Sequence, residues 1–254
     1  MQKMKNEKFY NAVSPFYDSM ISMEKSLIRR KTFYESVFTN KHIKVVADLG
    51  CGSGLDSLAL ASMGLKVSGF DPSAEMVRSA KQNSEKFGAD IQFIRKSISD
   101  IPQKFTGRFD AVVSFGNTLA NLDGTGARFA LQKVYHLLKP NGLFVFQILN
   151  YIRIEKRKEA VIGFTESNDS LIIRFNEFMK DEMKFHFLSL NKKMISSSNH
   201  YSTRIYPHKQ KFISDSLKQT GFIKTKAYGS LMLEKFNSGT SKDLIIVTQK
   251  SSEL

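Results

Sequence analysis

The sequence predicts an α/β fold: a doubly wound, mostly parallel seven-stranded sheet with an antiparallel β insertion after its fifth strand. Three observations predict it. Strand-like and helix-like segments alternate from residue 44 to residue 150. The alternation stops at 151 and returns at 207. A glycine-rich turn, DLGCGSG at 48–54, joins the first strand to the first helix of the alternating part. Alternation argues for parallel strands covered on both faces by helices. Ligands of such sheets lie beyond the C-terminal strand ends, where strand order reverses.

Taken in order, residues 1–43 mix charges and aromatics and read as a helical, partly irregular N-terminal segment. KVVADLG (44–50) is a β-branched run ending in glycine, a buried strand. SGLDSLALASMG (53–64) has helical apolar spacing closed by Gly64. KVSGFD (66–71) is the second strand, and PSAEMVRSAKQNSEKFG (72–88) a helix opened by proline and closed by glycine. IQFIRK (91–96) and FDAVVSFG (109–116) are strands three and four. ARFALQKVYHLLKPNG (127–142) is a helix stopped by Pro140 and Gly142, followed by the fifth strand, LFVFQILN (143–150). Between 151 and 206, LIIRFNEF, EMKFHFLSL and NHYSTRIY have the spacing of antiparallel strands. A helix at 207–221 and strands at 222–229 and 243–250 complete the sheet. The expected division is an N-terminal helical lid (1–43), a ligand-binding core (44–150 and 207–254) and an insertion (151–206) shaping a pocket.

Composition bounds the function. In 254 residues the formal net charge is +14, which raises nucleic acid as a partner class. The basic residues do not gather in one arm. Their densest run, RIEKRK at 153–158, contains a glutamate. Charge of this kind supports non-specific binding only, so a nucleic-acid partner is not favoured. The apolar runs fall far short of the ~20 residues of a membrane span, which argues against a membrane partner. The N-terminus lacks the apolar stretch of a secretory signal. The single cysteine, Cys51, excludes an internal disulfide, and a cytoplasmic location is the expectation. The five histidines show no metal-ligand spacing, so no metal is expected.

The chemistry concentrates at strand ends. Gly50, Gly52 and Gly54 let the backbone turn tightly and let a ligand approach without a Cβ in the way. The spacing is G-x-G-x-G, whereas a dinucleotide fingerprint would require its last glycine at Leu55. Asp71 ends the second strand, where an acid accepts both hydroxyls of a ribose; its alternative role is to cap the next helix. Met76, one turn into that helix, is placed to pack on a base or simply in the core.

These motifs resemble class I S-adenosylmethionine-dependent methyltransferases, whose Rossmann-like fold matches the predicted sheet. The resemblance spans about residues 30–250. It is most specific to the glycine N-methyltransferase group of small-molecule methyltransferases. The segments FGNTLANL, ILNY and RIYPH resemble that group's G-N-S, R-N-Y and Y-Y-P-H segments. The resemblance implies S-adenosyl-L-methionine as cofactor, held by Asp48, Gly50, Cys51, Gly52, Gly54, Asp71, Pro72, Met76, Phe115 and Gly116. Ser97 stands where the family commonly has an Asp for the adenine amino group, with Asp100 as the alternative, and the backbone amide of Ile98 beside it faces the ring. An R-x-x-x-Y spacing matches Arg30, for the methionine carboxylate, and Tyr34. Tyr10 and Tyr17 are placed to cover the sulfonium, which aromatic faces attract.

The methyl acceptor implied is a small molecule bound by Asn117, Leu149, Asn150, Tyr151, Tyr206 and His208, with Asn117 and Tyr206 orienting its nucleophile. The arginine of R-N-Y is Leu149 here, and leucine cannot replace a bidentate carboxylate fork. Glycine is therefore expected to be a poor acceptor, with transfer to nitrogen or oxygen left open. The alternatives are an RNA methyltransferase, against which FGNT lacks the proline and tyrosine of an N-P-P-Y segment, and a non-catalytic adenosine-binding protein.

Overall fold

A computed structural model gives the fold. It describes residues 2–20, 22–158, 160–166 and 169–252, and not the side chains of 2–5, 17–20 and 195. Two helices come first, α1 (Gln2–Met20) and α2 (Met23–Phe38). The alternating core follows as β1 (Val45–Leu49), α3 (Leu55–Ala61), β2 (Lys66–Asp71), α4 (Ala74–Lys86), β3 (Gln92–Arg95), β4 (Phe109–Ser114), α5 (Gly124–Leu137) and β5 (Leu138–Leu149). Next come α6 (Tyr151–Arg157) and strands β6 (Val161–Glu166), β7 (Ser170–Phe178), β8 (Met183–Asn191) and β9 (Asn199–Ile205). The chain closes with α7 (Gln210–Thr220), β10 (Phe222–Tyr228) and β11 (Asp243–Lys250).

Seven strands form one sheet in the order β10-β11-β5-β4-β1-β2-β3. Strands β1 to β5 run parallel, and β11 is antiparallel to both β5 and β10. The chain winds outward from β1 to β3 and then jumps to β4 on the other side of β1. That reversal puts the ligand crevice at the ends of β1, β2 and β4. Period-2 alternation splits the strand side chains between two cores. Val112, Phe144 and Phe146 pack with Leu131, Val134 and Leu217 of α5 and α7. Val113 and Val145 pack on the opposite face with Phe33 and Tyr34 of α2 and Leu60 of α3.

Strands β6 to β9 form a separate antiparallel sheet. α1 joins it to the core: Phe9 and Val13 are buried with Met76 of α4 and with Ile172 and Phe187 of that sheet.

Three expectations are corrected. The segment after Asn150 is not β throughout, because Tyr151–Arg157 is helical. The Asn150 side chain starts that helix by accepting from Arg153 N–H at 3.4 Å. The expected helix at 127–142 runs instead over Gly124–Leu137, begun by Asp123, whose carboxylate accepts from Gly126 N–H at 2.8 Å. Pro140 and Gly142 lie within β5. VIGFTE, not foreseen as a strand, pairs as β6 with β7.

Candidate active site

A cavity of about 340 Å³ opens at the ends of β1, β2 and β4. The turn after β1 forms one wall, with Gly50 and Gly52 at φ 72° and 53°. Only glycine takes this left-handed backbone at low cost. A Cβ on Gly50 would also collide with the Thr118 side chain. Gly54, at φ 93°, serves packing instead, since a Cβ there would meet Phe93 at 3.2 Å and Ala80 at 3.3 Å. It brings helix against strand and does not line the cavity. Cys51 likewise is buried among Val77, Ala80 and Phe93, and burial pushes its thiol pKa up.

Asp71 lines the cavity. Its Oδ2 accepts from Gly52 N–H at 3.0 Å and its Oδ1 from Ser73 N–H at 2.8 Å. These bonds fix the carboxylate and tie the glycine turn to β2. The helix cap itself is Ser73, whose hydroxyl accepts from Met76 N–H at 3.1 Å. Burial pushes the Asp71 carboxyl up to about 6, although the two N–H bonds oppose that shift. Pro72, Met76, Ser97, Ile98, Phe115 and Gly116 also line the cavity. The Ser97 hydroxyl bonds to Ser99 (2.8 Å) and donates to Asp100 (2.9 Å).

Behind the glycine turn lies a buried charge cluster. Asp48 accepts from the Ser57 hydroxyl at 2.6 Å. Asp56 accepts from the Tyr34 hydroxyl at 2.7 Å and pairs with Arg30 Nε at 3.2 Å. The Arg30 guanidinium lies 4.4 Å from the centroid of Phe115, whose ring lines the cavity. Arg30 therefore stands one layer behind the wall. Burial, then the charge of Asp56, raises the Asp48 carboxyl to about 8.

The residues expected to bind the acceptor are arranged differently from the expectation. Asn117 does not line the cavity. It takes the left-handed conformation (φ 66°) and turns its amide inward. Its Oδ1 accepts from Leu149 N–H and from the Tyr151 hydroxyl, both at 3.0 Å. Leu149 and the buried Tyr151 pack with Ala120, Ile154 and Ile205. The Asn150 amide donates to the Ser238 and Ser241 carbonyls at 2.9 and 2.8 Å. His208 is buried, stacks on Phe212 and bonds through Nε2 to the Leu122 carbonyl at 2.8 Å; burial lowers its pKa. Tyr206 is half-buried, with its N–H donating to the Ala120 carbonyl at 2.8 Å. The side chain of Tyr17 lies outside the described residues.

Other residues line the cavity on the α1 side. Asn6 and Tyr10 of α1 line the cavity together with Asn121. The Asn6 amide donates to the Asn121 carbonyl at 3.0 Å, and the Tyr10 hydroxyl to Asn121 Oδ1 at 3.1 Å. Asn6 Oδ1 also accepts from the Thr203 hydroxyl of β9, tying α1 to the insertion sheet. Among the described residues, the charged groups on the cavity wall are Asp71, Lys96 and Asp123. Among the described residues no group of three potential ligands could hold a metal ion, and no helix is long and apolar enough to cross a membrane.

Comparison with known proteins identifies a methyltransferase domain. Residues 46–142 match the methyltransferase domain family. The glycine/sarcosine N-methyltransferase of Halorhodospira halochloris is 22% identical, over 88% of this chain and 82% of that protein. Residues 46–142 are a methyltransferase domain, and along most of its length the chain is similar to S-adenosylmethionine-dependent methyltransferases. Among solved structures, a methyltransferase of Clostridium acetobutylicum superimposes with a TM-score of 0.81 at 16% identity, covering 95% of this chain and 99% of that one. The S-adenosylmethionine-bound amino pentose methyltransferase CalS10 of Micromonospora echinaspora gives 0.67 at 12% identity, covering 94% and 97%. The cofactor of this methyltransferase is S-adenosylmethionine, and the cavity suits it. The volume is within the ~300–1,000 Å³ of small-ligand sites. One buried carboxylate, a wall of glycine backbone, apolar surface at Ile98 and Leu122, and aromatic faces at Tyr10 and Phe115 match a nucleoside joined to a sulfonium.

Proposed function

We propose that this methyltransferase methylates a nitrogen or oxygen of a small molecule held beneath α1. The supporting observation is the shape and charge of the cavity. α1 roofs it, and among the described residues its charged wall groups are two carboxylates and one lysine. An RNA site would call for an open basic groove instead. The similarity to a glycine/sarcosine and an amino pentose methyltransferase supports the same acceptor class.

In this reading Asp71 accepts the ribose hydroxyls with the lone pairs its N–H bonds leave. Ser97 and Ile98 hold the base. The glycine turn lets the methionine part pass close to the backbone. Arg30 fixes that end from behind Phe115, and residues 1–43 act as the lid. Tyr10 and Asn121, not Asn117, orient the acceptor, joined by Tyr206 at the edge of the same turn. Bound S-adenosylmethionine supplies an electrophilic methyl carbon. The chain aligns the nucleophile in line with it and excludes water. Among the described residues Lys96 is the one cation on the cavity wall and no arginine lines it, so glycine lacks a carboxylate fork.

A screen of amines, amino sugars, phenols, amino acids and structured RNA with methyl-labelled cofactor tests the proposal. Turnover of a neutral or amine-bearing small molecule, with glycine poor, is the expected result. Efficient turnover of RNA that collapses in added salt would overturn it and give the +14 charge a function.

A further inference from the structure

We infer that Phe129 is an adenine-stacking residue that closes the base end of the cavity. The inference rests on the cofactor reading of the cavity. Along the strand ends the order β3-β2-β1 sets the direction of the ligand. With the ribose at Asp71 on β2 and the methionine part at the glycine turn after β1, the base lies toward β3. There the cavity is bounded by the turn at Ile98–Asp100 and, packed against it, by α5.

Three residues of α5 line the cavity: Gly126, Phe129 and Ala130. They stand at i, i+3 and i+4, one face of the helix. Gly126 and Ala130 are small and bring the wall close. Phe129 stands at the rim, 51% exposed. Among the described large apolar residues that are exposed, it alone lines the cavity. The other exposed ones lie elsewhere, for example Phe164 on β6 and Met232 beyond β10. Ile98, half-buried and packed on the main core, and Leu122 line the same cavity. Ser97 and Ser99 line the cavity as well. Apolar side chains with hydrogen-bonding groups among them are what a flat purine requires. A nucleobase bound here would cover the Phe129 ring that water now wets.

The chain contains no tryptophan, so Phe129→Trp places a single fluorescent reporter at the rim. S-adenosylhomocysteine and adenosine are expected to quench or shift its emission, and methionine to leave it unchanged. Independently, Phe129→Ala is expected to weaken S-adenosylhomocysteine binding about tenfold in calorimetry, the low-to-middle range for loss of base–aromatic stacking. Phe129→Tyr should restore most of that loss, and Phe129→Leu less. An unmoved tryptophan signal at a concentration that saturates the same variant calorimetrically would overturn the inference while leaving the cofactor site intact. So would wild-type affinity in Phe129→Ala. Wild-type protein that binds no S-adenosylhomocysteine would overturn both readings.

Discussion

At the scale of single residues, Asp48 shows what burial does to a carboxyl. It has Asp56 near it and one hydroxyl donor, Ser57, so its pKa rises from 3.8 to about 8. The unfolded chain ionises it near 3.8, whereas the folded protein holds the proton to about 8. Its contribution to stability is therefore fully present below about pH 4 and is lost as pH rises toward 8. Asp48→Asn keeps the acceptor for Ser57 and removes the titration. In thermal melts without ligand, the variant should gain over wild type as pH rises from 4, with the gain levelling off above about 8. A gain independent of pH would show that Asp48 is ionised throughout. Asp71 titrates in the same direction over a narrower window, to about 6.

At the scale of elements, the turn after β4 explains why an asparagine follows Phe115-Gly116. The Asn117 amide reaches β5 through Leu149 N–H and α6 through the Tyr151 hydroxyl. Its backbone N–H donates to Gln147, which in turn donates to Asp243 on β11. One residue thus clips β5 and α6 at the cavity edge, and β11 through Gln147, while its backbone stays left-handed. Asn117→Ala should cost roughly 2–3 kcal/mol, combining the strained conformation with lost buried hydrogen bonds. Tyr151→Phe should cost about 1 kcal/mol, and the double variant less than the sum of the two. Chemical denaturation measures all three. Full stability in Asn117→Ala, with turnover abolished, would return Asn117 to a direct catalytic role.

The same elements show what the sequence could convey. β2 and β11 were legible to the residue, because a buried strand bounded by turn residues announces both ends. The glycine turn, Asp71, Ile98 and Phe115 were legible because strand position fixes which residues face the crevice. The direction of the Asn117 side chain was not. It depends on a positive φ and on partners 32 and 34 residues away. The Arg30–Asp56 pair and the α1 roof over Asn121 likewise join segments whose spacing carries no periodic signal. α6 was missed because its helical start lies in the Asn150 cap, at the boundary between two rhythms.

At the scale of the whole molecule, the seven-stranded sheet presents its switch point to α1, and α1 bridges that sheet to the four-stranded one. In the proposed function one carboxylate at the switch point, Asp71, holds the ribose of S-adenosylmethionine. Calorimetric titration of S-adenosylhomocysteine into wild type and Asp71→Ala tests this directly. Wild type should bind one ligand per chain and should not bind NAD. Asp71→Ala should bind about ten- to a hundredfold more weakly, the ~1.5–3 kcal/mol of a lost charged hydrogen bond. Equal affinity in the two proteins would contradict the account and leave Asp71 as no more than the brace between the glycine turn and Ser73.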